Sequence, residues 1–400
     1  MPNHPLNPAV DFISGSFWGA NPHDELTWLR RNAPVYWDGQ VWGVARYADV
    51  KAVSKDTETF SNAGGIRPDS GPIPMMIDMD DPEHFQRRKL VNKGFTPRRV
   101  RESEHQIRRV CDDIIDRVCE KGECDFVWDI AAPLPLIMIG DALGVAPEDR
   151  DTLLRWSDIM LSALTGSEEQ MAEAADAFAG YTDYAMRVVE ARRAEPQDDL
   201  MSVLVHAEVD GDRLDDDSLI HESLLILIGG DETTRHVLSG GGWQVLADRR
   251  HWDRLVDDRS ALPAAVEEML RWVSPIKNMA RTITRDTDLG GQHLEAGQQL
   301  LLLYSSANRD EEVFDNPFTF DIERRPNEHV AFGFGTHFCL GNSLARLELR
   351  VMFEQLLERL PDLELVDPSA EPAYRAANFI SGYEAMPVRF TPTAPVTSRF

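Results

Sequence analysis

One cysteine, Cys339, lies in a glycine-rich segment that reads Phe-Gly-Phe-Gly-Thr-His-Phe-Cys-Leu-Gly over residues 332–341. Glycine lets a backbone turn tightly and approach a bulky flat group closely. The segment ends just before a helix predicted to begin near Asn342, and the free N–H groups and dipole of a helix N-terminus favour a thiolate. Such a thiolate is a ligand for soft iron, including haem iron. A buried structural cysteine is the alternative, but the spacing F-G-x-G-x-H-x-C-x-G favours a ligand.

A second stretch puts polar side chains into an apolar helix. Residues 224–234 read Leu-Leu-Ile-Leu-Ile-Gly-Gly-Asp-Glu-Thr-Thr, which predicts a buried helix interrupted at Gly229 and Gly230. A glycine inside a helix costs about 1 kcal/mol relative to alanine, so the pair needs a reason, and close helix packing is one. Glu232 and Thr233 follow directly, and burying them is costly unless they are hydrogen-bonded or used.

Two ionisable pairs lie at helical spacing. His84 and Arg88 are four residues apart in a helix predicted to begin at residues 81–82, and they could together bind an anion. Glu268 and Arg271 are three apart in an amphipathic helix, where an exposed pair adds little stability. Taken alone, each pair is typical of a solvated helix face.

In combination, these motifs resemble those of the cytochrome P-450 superfamily, the haem-thiolate monooxygenases, from about residue 25 to 390. The resemblance implies haem b as the cofactor, with the Cys339 thiolate as proximal iron ligand and the N–H groups of Leu340 and Gly341 near its sulfur. The implied fold is mainly α with small β-sheets, a single-domain triangular prism with the haem between a long distal helix and the Cys helix. The implied haem-binding residues, some of them facing the propionates, are His84, Arg88, Arg281, Phe332, His337, Cys339 and Gly341.

The same resemblance implies two catalytic residues. Residues 229–234 match, position for position, a family motif of Ala or Gly, Gly, any residue, Asp or Glu, Thr, and Thr or Ser. Glu232 is then the residue that relays protons from solvent. Thr233 is the one that hydrogen-bonds the iron-bound oxygen or its water. Asp231 occupies the variable position of the motif.

A structural network is implied as well. Glu268 and Arg271 match an E-x-x-R motif that is buried in the family, and Arg324 is expected to join them. This network holds the loop that carries Cys339. A buried ionic network that lacked one partner would be costly.

The variable loops bear on the substrate. Residues 62–69, 74–82, 227–235, 273–281 and 378–382 look closest to mycobacterial-type P-450s that oxidise the terminal methyl of the cholesterol side chain, in cholesterol or cholest-4-en-3-one, and on to the acid. Methionine adapts to large flat lipids. The alternatives are another lipid or a polyketide as substrate, or a haem-thiolate sensor without turnover, which would not need Glu232 and Thr233. The predicted substrate-lining residues are Ile73, Met75, Met76, Ile226, Gly229, Met279 and Ile380.

Electrons must come from another protein, because the chain carries no flavin or ferredoxin motif. Bacterial relatives use a ferredoxin and its reductase, and most small ferredoxins are acidic. A basic cluster is therefore a docking hypothesis. It comprises Arg87, Arg88, Lys89, Lys93, Arg98, Arg99, Arg101, Arg346 and Arg350.

Composition limits the remaining classes. The net charge of −27 argues against binding to nucleic acids or anionic membranes. The chain has no run of eighteen apolar residues and no signal peptide, so a cytoplasmic monomer without a membrane anchor is expected. Without a linker or repeat, one haem domain over residues 23–392 is predicted, between a flexible arm over 1–22 and a flexible tail over 393–400.

Overall fold

Helices make up most of the protein. The computed structural model describes residues 3–68, 70–162, 168–208 and 211–396. The prediction of a mainly α, single-domain fold with small sheets is confirmed. The α-helices of the described residues are α1 (Gly15–Gly19), α2 (His23–Asn32), α3 (Tyr47–Lys55), α4 (Glu83–Val91), α5 (Pro97–Glu102), α6 (Glu104–Asp116), α7 (Pro133–Ala142), α8 (Arg150–Ser162), α9 (Glu168–Ala194), α10 (Leu200–His206), α11 (Asp216–Ala247), α12 (Arg249–Asp257), α13 (Leu262–Val273), α14 (Tyr304–Ala307) and α15 (Asn342–Arg359).

Three small sheets complete the fold. The strands are β1 (Val35–Trp37), β2 (Trp42–Val44), β3 (Phe60–Ser61), β4 (Glu123–Asp125), β5 (Asn278–Ile283), β6 (Thr287–Leu289), β7 (Gln292–Leu294), β8 (Gln299–Leu303), β9 (Glu364–Leu365) and β10 (Pro387–Arg389). The largest sheet has the strand order β1-β2-β8-β5-β3. Asp38-Gly39 between alternating apolar residues predicts a hairpin, and β1 and β2 form it, with Gly39 at φ +109°. Strand β5 pairs antiparallel with β8, and Met279 and Arg281, two residues apart, lie on one face of β5.

Helix α11 is the central element of the core. It runs for 32 residues and packs against α7, α13 and α15. The predicted interruption at Gly229 and Gly230 does not occur, because the helix continues through both residues. A Cβ on Gly230 would lie 2.9 Å from Ile139 Cγ1 of α7, whereas a Cβ on Gly229 would meet nothing within 4 Å. Close packing therefore accounts for Gly230, and an open cavity accounts for Gly229.

The N-terminal segment is packed rather than loose. Phe12 and Trp18 are fully buried, and Trp18 Nε1 donates a hydrogen bond to the carbonyl of Phe12 at 2.9 Å. The expectation of a flexible arm over 1–22 does not hold for residues 10–19, because their aromatic side chains join the core beneath β2 and β8. Residues 1–2 lie outside the described part of the chain.

The C-terminal segment is also attached. The backbone N–H of Thr393 donates to the carbonyl of Cys119 at 2.8 Å, and that of Val396 donates to Asp116 Oδ1 at 3.0 Å. The expected flexible tail over 393–400 is therefore hydrogen-bonded at 393–396, and residues 397–400 lie outside the described residues. None of the helices in the described ranges is long and apolar enough to cross a membrane.

Candidate active site

A cavity of about 560 Å³ lies between α11, the start of α15, β5 and the loop before α4. Its walls are mostly apolar. Of the predicted haem-binding residues, His84, Arg88, Phe332, His337, Cys339 and Gly341 line it, and Arg281 does not. Thr233 lines it and Glu232 does not. All predicted substrate-lining residues face it, namely Ile73, Met75, Met76, Ile226, Gly229, Met279 and Ile380.

The Cys339 loop is held by its backbone. The N–H of Cys339 donates to the carbonyl of Phe332 at 2.9 Å. Gly335 has φ +79°, and a Cβ there would lie 2.5 Å from the carbonyl oxygen of Ser54, so only glycine fits. Gly341 is the N-cap of α15. The loop therefore delivers the sulfur to the beginning of a helix.

The surroundings of the Cys339 sulfur act on its ionisation in opposite directions. Burial raises the pKa of the thiol, while the N–H group of Gly341, the charge of Arg88 and the N–H group of Asn342 lower it. These donors are Gly341 and Asn342, whereas the sequence had predicted Leu340 and Gly341. The difference follows from the helix start, which turns the N–H groups of its first residues toward the sulfur.

Basic side chains gather at one side of the cavity. The rings of His84 and His337 lie 4.0 Å apart, and His84 Nε2 is buried without a hydrogen-bond partner among the described residues. Burial, followed by the neighbouring His84 and Arg281, lowers the pKa of His337 to about 2. Arg88 donates to the carbonyl of Phe338, and Arg281 is buried beside Tyr304. Together with the thiol and the apolar walls, these two arginines and two imidazoles fit a haem with its two propionates.

Glu232 and Thr233 face different environments. Thr233 Oγ1 donates to the carbonyl of Gly229 at 2.9 Å within α11. Glu232 is 1% exposed and accepts a hydrogen bond from Arg235, and His236 Nε2 lies 3.2 Å from Glu232 Oε2. Burial alone would raise the pKa of Glu232, but His236 and Arg235 hold it well below its usual value.

The Glu232 cluster reaches toward solvent through two more residues. Arg375 Nη1 lies 3.8 Å from Glu232 Oε2, and Arg375 is about one-third exposed. Asp158 of α8 also contacts the cluster, and burial together with Glu232 raises the pKa of Asp158 to about 7. A chain of ionisable groups thus runs from behind the cavity wall to the surface.

Asp231 and Glu348 are buried carboxyl groups close enough to affect each other, which the sequence did not predict. Both Asp231 oxygens are buried without a hydrogen-bond partner among the described residues, and burial raises the pKa of Asp231 to about 8. Glu348 of α15 lines the cavity, and burial, then Asp231, raises its pKa to about 8. The only sequence signal for Glu348 was an acid at a core-facing position of an amphipathic helix.

Glu222 is another residue that the sequence did not single out. It is fully buried in α11, where its Oε1 accepts the backbone N–H of Met76 at 2.7 Å and Arg87 Nη1 at 3.2 Å. Met76 and its neighbour Met75 line the cavity. Glu222 therefore fixes the methionine loop to α11.

The structure brings the predicted network together. Glu268 Oε1 and Oε2 accept Arg271 Nη2 and Nε, each at 2.7 Å, and Arg324 Nε lies 3.1 Å from Oε2. Arg271 also donates to the carbonyl of Asn308 at 2.7 Å, and Arg324 to that of Asp315 at 2.7 Å. All three charged side chains are buried, so the shared hydrogen bonds offset their desolvation.

Comparisons with known proteins agree with this geometry. A family model described as Cytochrome P450 matches residues 244–370. Proteins named steroid C26-monooxygenase from Mycobacterium tuberculosis and Mycolicibacterium smegmatis are each 55% identical to this chain, over 97% of it and over 99% and 98% of their own lengths.

Solved structures are similar over the same extent. A Mycobacterium marinum cytochrome P-450 in complex with pseudoionone is 33% identical, covers 97% of this chain and 100% of its own, and has a TM-score of 0.88. The testosterone complex of CYP109E1 from Bacillus megaterium is 34% identical, covers 93% and 98%, and has a TM-score of 0.86. The likeness thus spans nearly the whole chain and includes the glycine-framed cysteine loop at the cavity. This chain belongs to the cytochrome P-450 family.

Proposed function

We propose that this protein is a haem-thiolate monooxygenase that hydroxylates the terminal methyl of a steroid side chain, as in cholesterol or cholest-4-en-3-one, and carries the oxidation on to the acid. The observation that carries the proposal is the 55% identity, over 97% of the chain, to two mycobacterial proteins named steroid C26-monooxygenase. The long apolar cavity supports it, because a sterol is large, flat and almost entirely hydrocarbon.

The cofactor of this proposal is haem b. Cys339 would bind the iron, the guanidinium groups of Arg88 and Arg281 would neutralise the propionates, and the imidazoles of His84 and His337 would donate hydrogen bonds to them. When bound, a haem with a thiolate ligand supplies dioxygen activation with two electrons, so that one oxygen atom enters a C–H bond and the other leaves as water.

Side chains of the protein hold and deliver the protons that the reaction needs. Thr233 holds one proton at Oγ1, which it donates to the Gly229 carbonyl, and the oxygen lone pairs can accept a hydrogen bond from a cavity water. Glu232 lies behind this wall in contact with Arg375 and Asp158, both partly exposed. We assign proton delivery from solvent to this cluster and local proton positioning to Thr233.

The choice of a terminal methyl must come from positioning. A primary C–H bond is stronger than the tertiary one beside it, so the enzyme must hold the methyl at the reacting centre and keep the tertiary carbon away. Met75 and Met76, fixed through Glu222, together with Met279 and Ile380, supply apolar surface for this. Electrons come from a ferredoxin, because no flavin or iron–sulfur motif is present in the sequence.

Titration of the purified ferric protein with cholest-4-en-3-one tests the substrate. We expect a saturable low-spin to high-spin shift of the haem band, because a sterol that fills the cavity excludes water from it. Testosterone, which has the same ring ketone without the alkyl side chain, is the matched control and should bind more weakly.

The products then test the position of oxidation. With a ferredoxin, its reductase and NAD(P)H, mass spectrometry should find the terminal alcohol and the acid. A protein that gives the thiolate-type carbonyl spectrum but no shift with the sterol would remain a monooxygenase with a different substrate. A protein without that spectrum would contradict the assignment of Cys339.

A further inference from the structure

A second cavity, separate from the large one, lies between the N-terminal segment and the end of α13. Its volume of about 10 Å³ admits one small occupant, such as a water molecule or a monatomic ion. Four stretches of the described chain meet around it, namely residues 18–26, 272–277 and 305–309 and the loop at residue 374. The residues that line it are Trp18, Asn21, Pro22, His23, Leu26, Trp272, Val273, Lys277, Ser305, Arg309 and Tyr374.

The ionisable side chains that line this cavity are basic or phenolic. Lys277 is 6% exposed and Arg309 is 2% exposed, and His23 from α2 faces the same space. No carboxylate is among the described residues that line it. Glu268, the acid that acts on Arg309, is shared by Arg271 and Arg324, and Glu311 is shared by Arg30 and Arg31.

Several donors around the cavity lack partners. Arg309 Nη2 donates to the carbonyl of Trp272 at 2.8 Å, but its Nε and Nη1 have no hydrogen-bond partner among the described residues. Ser305 Oγ and His23 Nδ1 are also buried without a hydrogen-bond partner among the described residues. Lys277 Nζ donates to one acceptor, the carbonyl of Val273 at 3.2 Å, and can donate twice more.

Lys277 Nζ lies 5.2 Å from the ring centroid of Tyr374, and Arg309 Cζ lies 4.6 Å from that of Trp272. These rings compensate the two buried cations only in part, and no carboxylate among the described residues that line the cavity does so. Burial, followed by the charge of Arg309, lowers the pKa of Lys277 to about 7, and burial, followed by Arg271, lowers that of Arg309 to about 9. A bound anion would repay this desolvation and satisfy the free donors together. A water molecule could accept only two of these hydrogen bonds and would leave the charge uncompensated.

We propose that this cavity binds one halide-sized monovalent anion, chloride in the cell, between Lys277 and Arg309 with Ser305 as a further donor. The size of the cavity excludes sulfate and phosphate, which are several times larger than a water molecule. The site is distinct from the large cavity, because the two cavities share no lining residue.

The anion would fasten the segment that faces the substrate. The backbone N–H of Lys277 donates to the carbonyl of Phe379 at 2.9 Å, and that of Ser381 donates to the carbonyl of Pro275 at 3.2 Å. Pro275 and Phe379 both line the large cavity. Occupancy of the small cavity therefore stabilises a wall of the large one from behind.

Thermal unfolding of the haem-loaded protein in sodium bromide or chloride, compared with sodium gluconate at equal ionic strength, tests the proposal. Gluconate is too large for the cavity. We expect a saturable rise in Tm of roughly 2–4 °C in either halide. Lys277→Met should lose the dependence on halide, whereas Lys121→Met, at an exposed position before β4, should keep it.

A crystal of the wild-type protein grown in bromide gives a readout that does not depend on any variant folding. An anomalous bromine peak is expected between Lys277 Nζ and the Arg309 guanidinium. A water at that place without anomalous signal would overturn the proposal. Equal Tm values in halide and gluconate, or the same halide effect in Lys277→Met as in wild type, would overturn it too.

Discussion

Glu222 is a buried acid whose hydrogen bond to Met76 holds part of the cavity wall in place. Burial raises its pKa to about 7, against the opposing charge of Arg87 and the N–H of Met76. A carboxyl with a higher pKa in the folded than in the unfolded state contributes stability at low pH. That contribution is complete below about 4.5 and is lost as the pH rises through about 7. A rise from 4.5 to about 7 corresponds to about 3 kcal/mol.

The variant Glu222→Gln tests this relation. The amide keeps an oxygen acceptor for the N–H of Met76 and cannot ionise. We therefore expect its free energy of unfolding, relative to wild type, to improve by up to about 3 kcal/mol between pH 5 and pH 8. Urea titrations of the haem-loaded proteins at both pH values measure it. Glu195→Gln, at an exposed position, is the control. A difference that does not change with pH would refute the role of burial.

Thr233 should matter for coupling and not for binding. Its hydroxyl holds a proton at the cavity wall, where Oγ1 donates to the Gly229 carbonyl. In Thr233→Ala we expect product formed per electron consumed to fall by at least about tenfold, with peroxide accounting for the difference. The sterol-induced spectral shift should persist. Measuring NADH consumed, peroxide and product together distinguishes the outcomes, and unchanged coupling would remove Thr233 from proton handling.

At the scale of elements, the two glycines of α11 give a matched pair of variants. Gly230→Ala would press a methyl against Ile139 of α7 and should destabilise the protein by about 1–3 kcal/mol. Gly229→Ala meets open space and removes the helical cost of glycine, so it should stabilise by up to about 1 kcal/mol. Thermal unfolding of both haem-loaded variants measures the difference. Equal destabilisation would mean that both glycines serve packing.

Sequence patterns predicted elements correctly where the conformation of a segment depends only on its own residues. The hairpin at Asp38-Gly39 is an example, because a positive φ at glycine selects the turn. Two predictions about elements were wrong. An interruption was predicted in α11, but tertiary packing keeps the helix continuous through both glycines. A flexible arm was predicted around Trp18, but burial of its aromatic side chains packs this Pro- and Asn-rich segment against the core.

The residues of the candidate site also fall into two groups, those that a sequence pattern predicts and those that it does not. Cys339, Glu232 and Thr233 stand in motifs that are contiguous in sequence, and the structure puts them at or beside the cavity. The partners that act on them are distant in sequence. Asp231 meets Glu348 through the crossing of α11 and α15, and that proximity depends on a helix–helix contact that no local pattern encodes.

The whole molecule has a net charge of −27, so an acidic partner would be attracted only to a locally positive region. Several residues of the basic cluster, however, already form ion pairs within the protein. Arg346 is paired with Glu267 at 2.7 Å, and Arg350 with Glu104 at 3.0 Å. Arg98 and Arg99 of α5, which packs against α15, are more exposed. Their exposed ion pairs are weak, so a docking partner can replace them.

Reversing the charge of Arg98 and Arg99 to Glu should slow reduction by an acidic ferredoxin and flatten its dependence on salt, because charges that steer a partner act mainly on association. The matched control reverses Arg285, in the loop between β5 and β6, and Arg389 of β10, both exposed, and changes the net charge by the same amount. Stopped-flow reduction at several ionic strengths measures both. Slowing in the α5 variant alone indicates local docking, equal slowing indicates a general effect of net charge, and no slowing in either variant would reject the cluster as a docking surface.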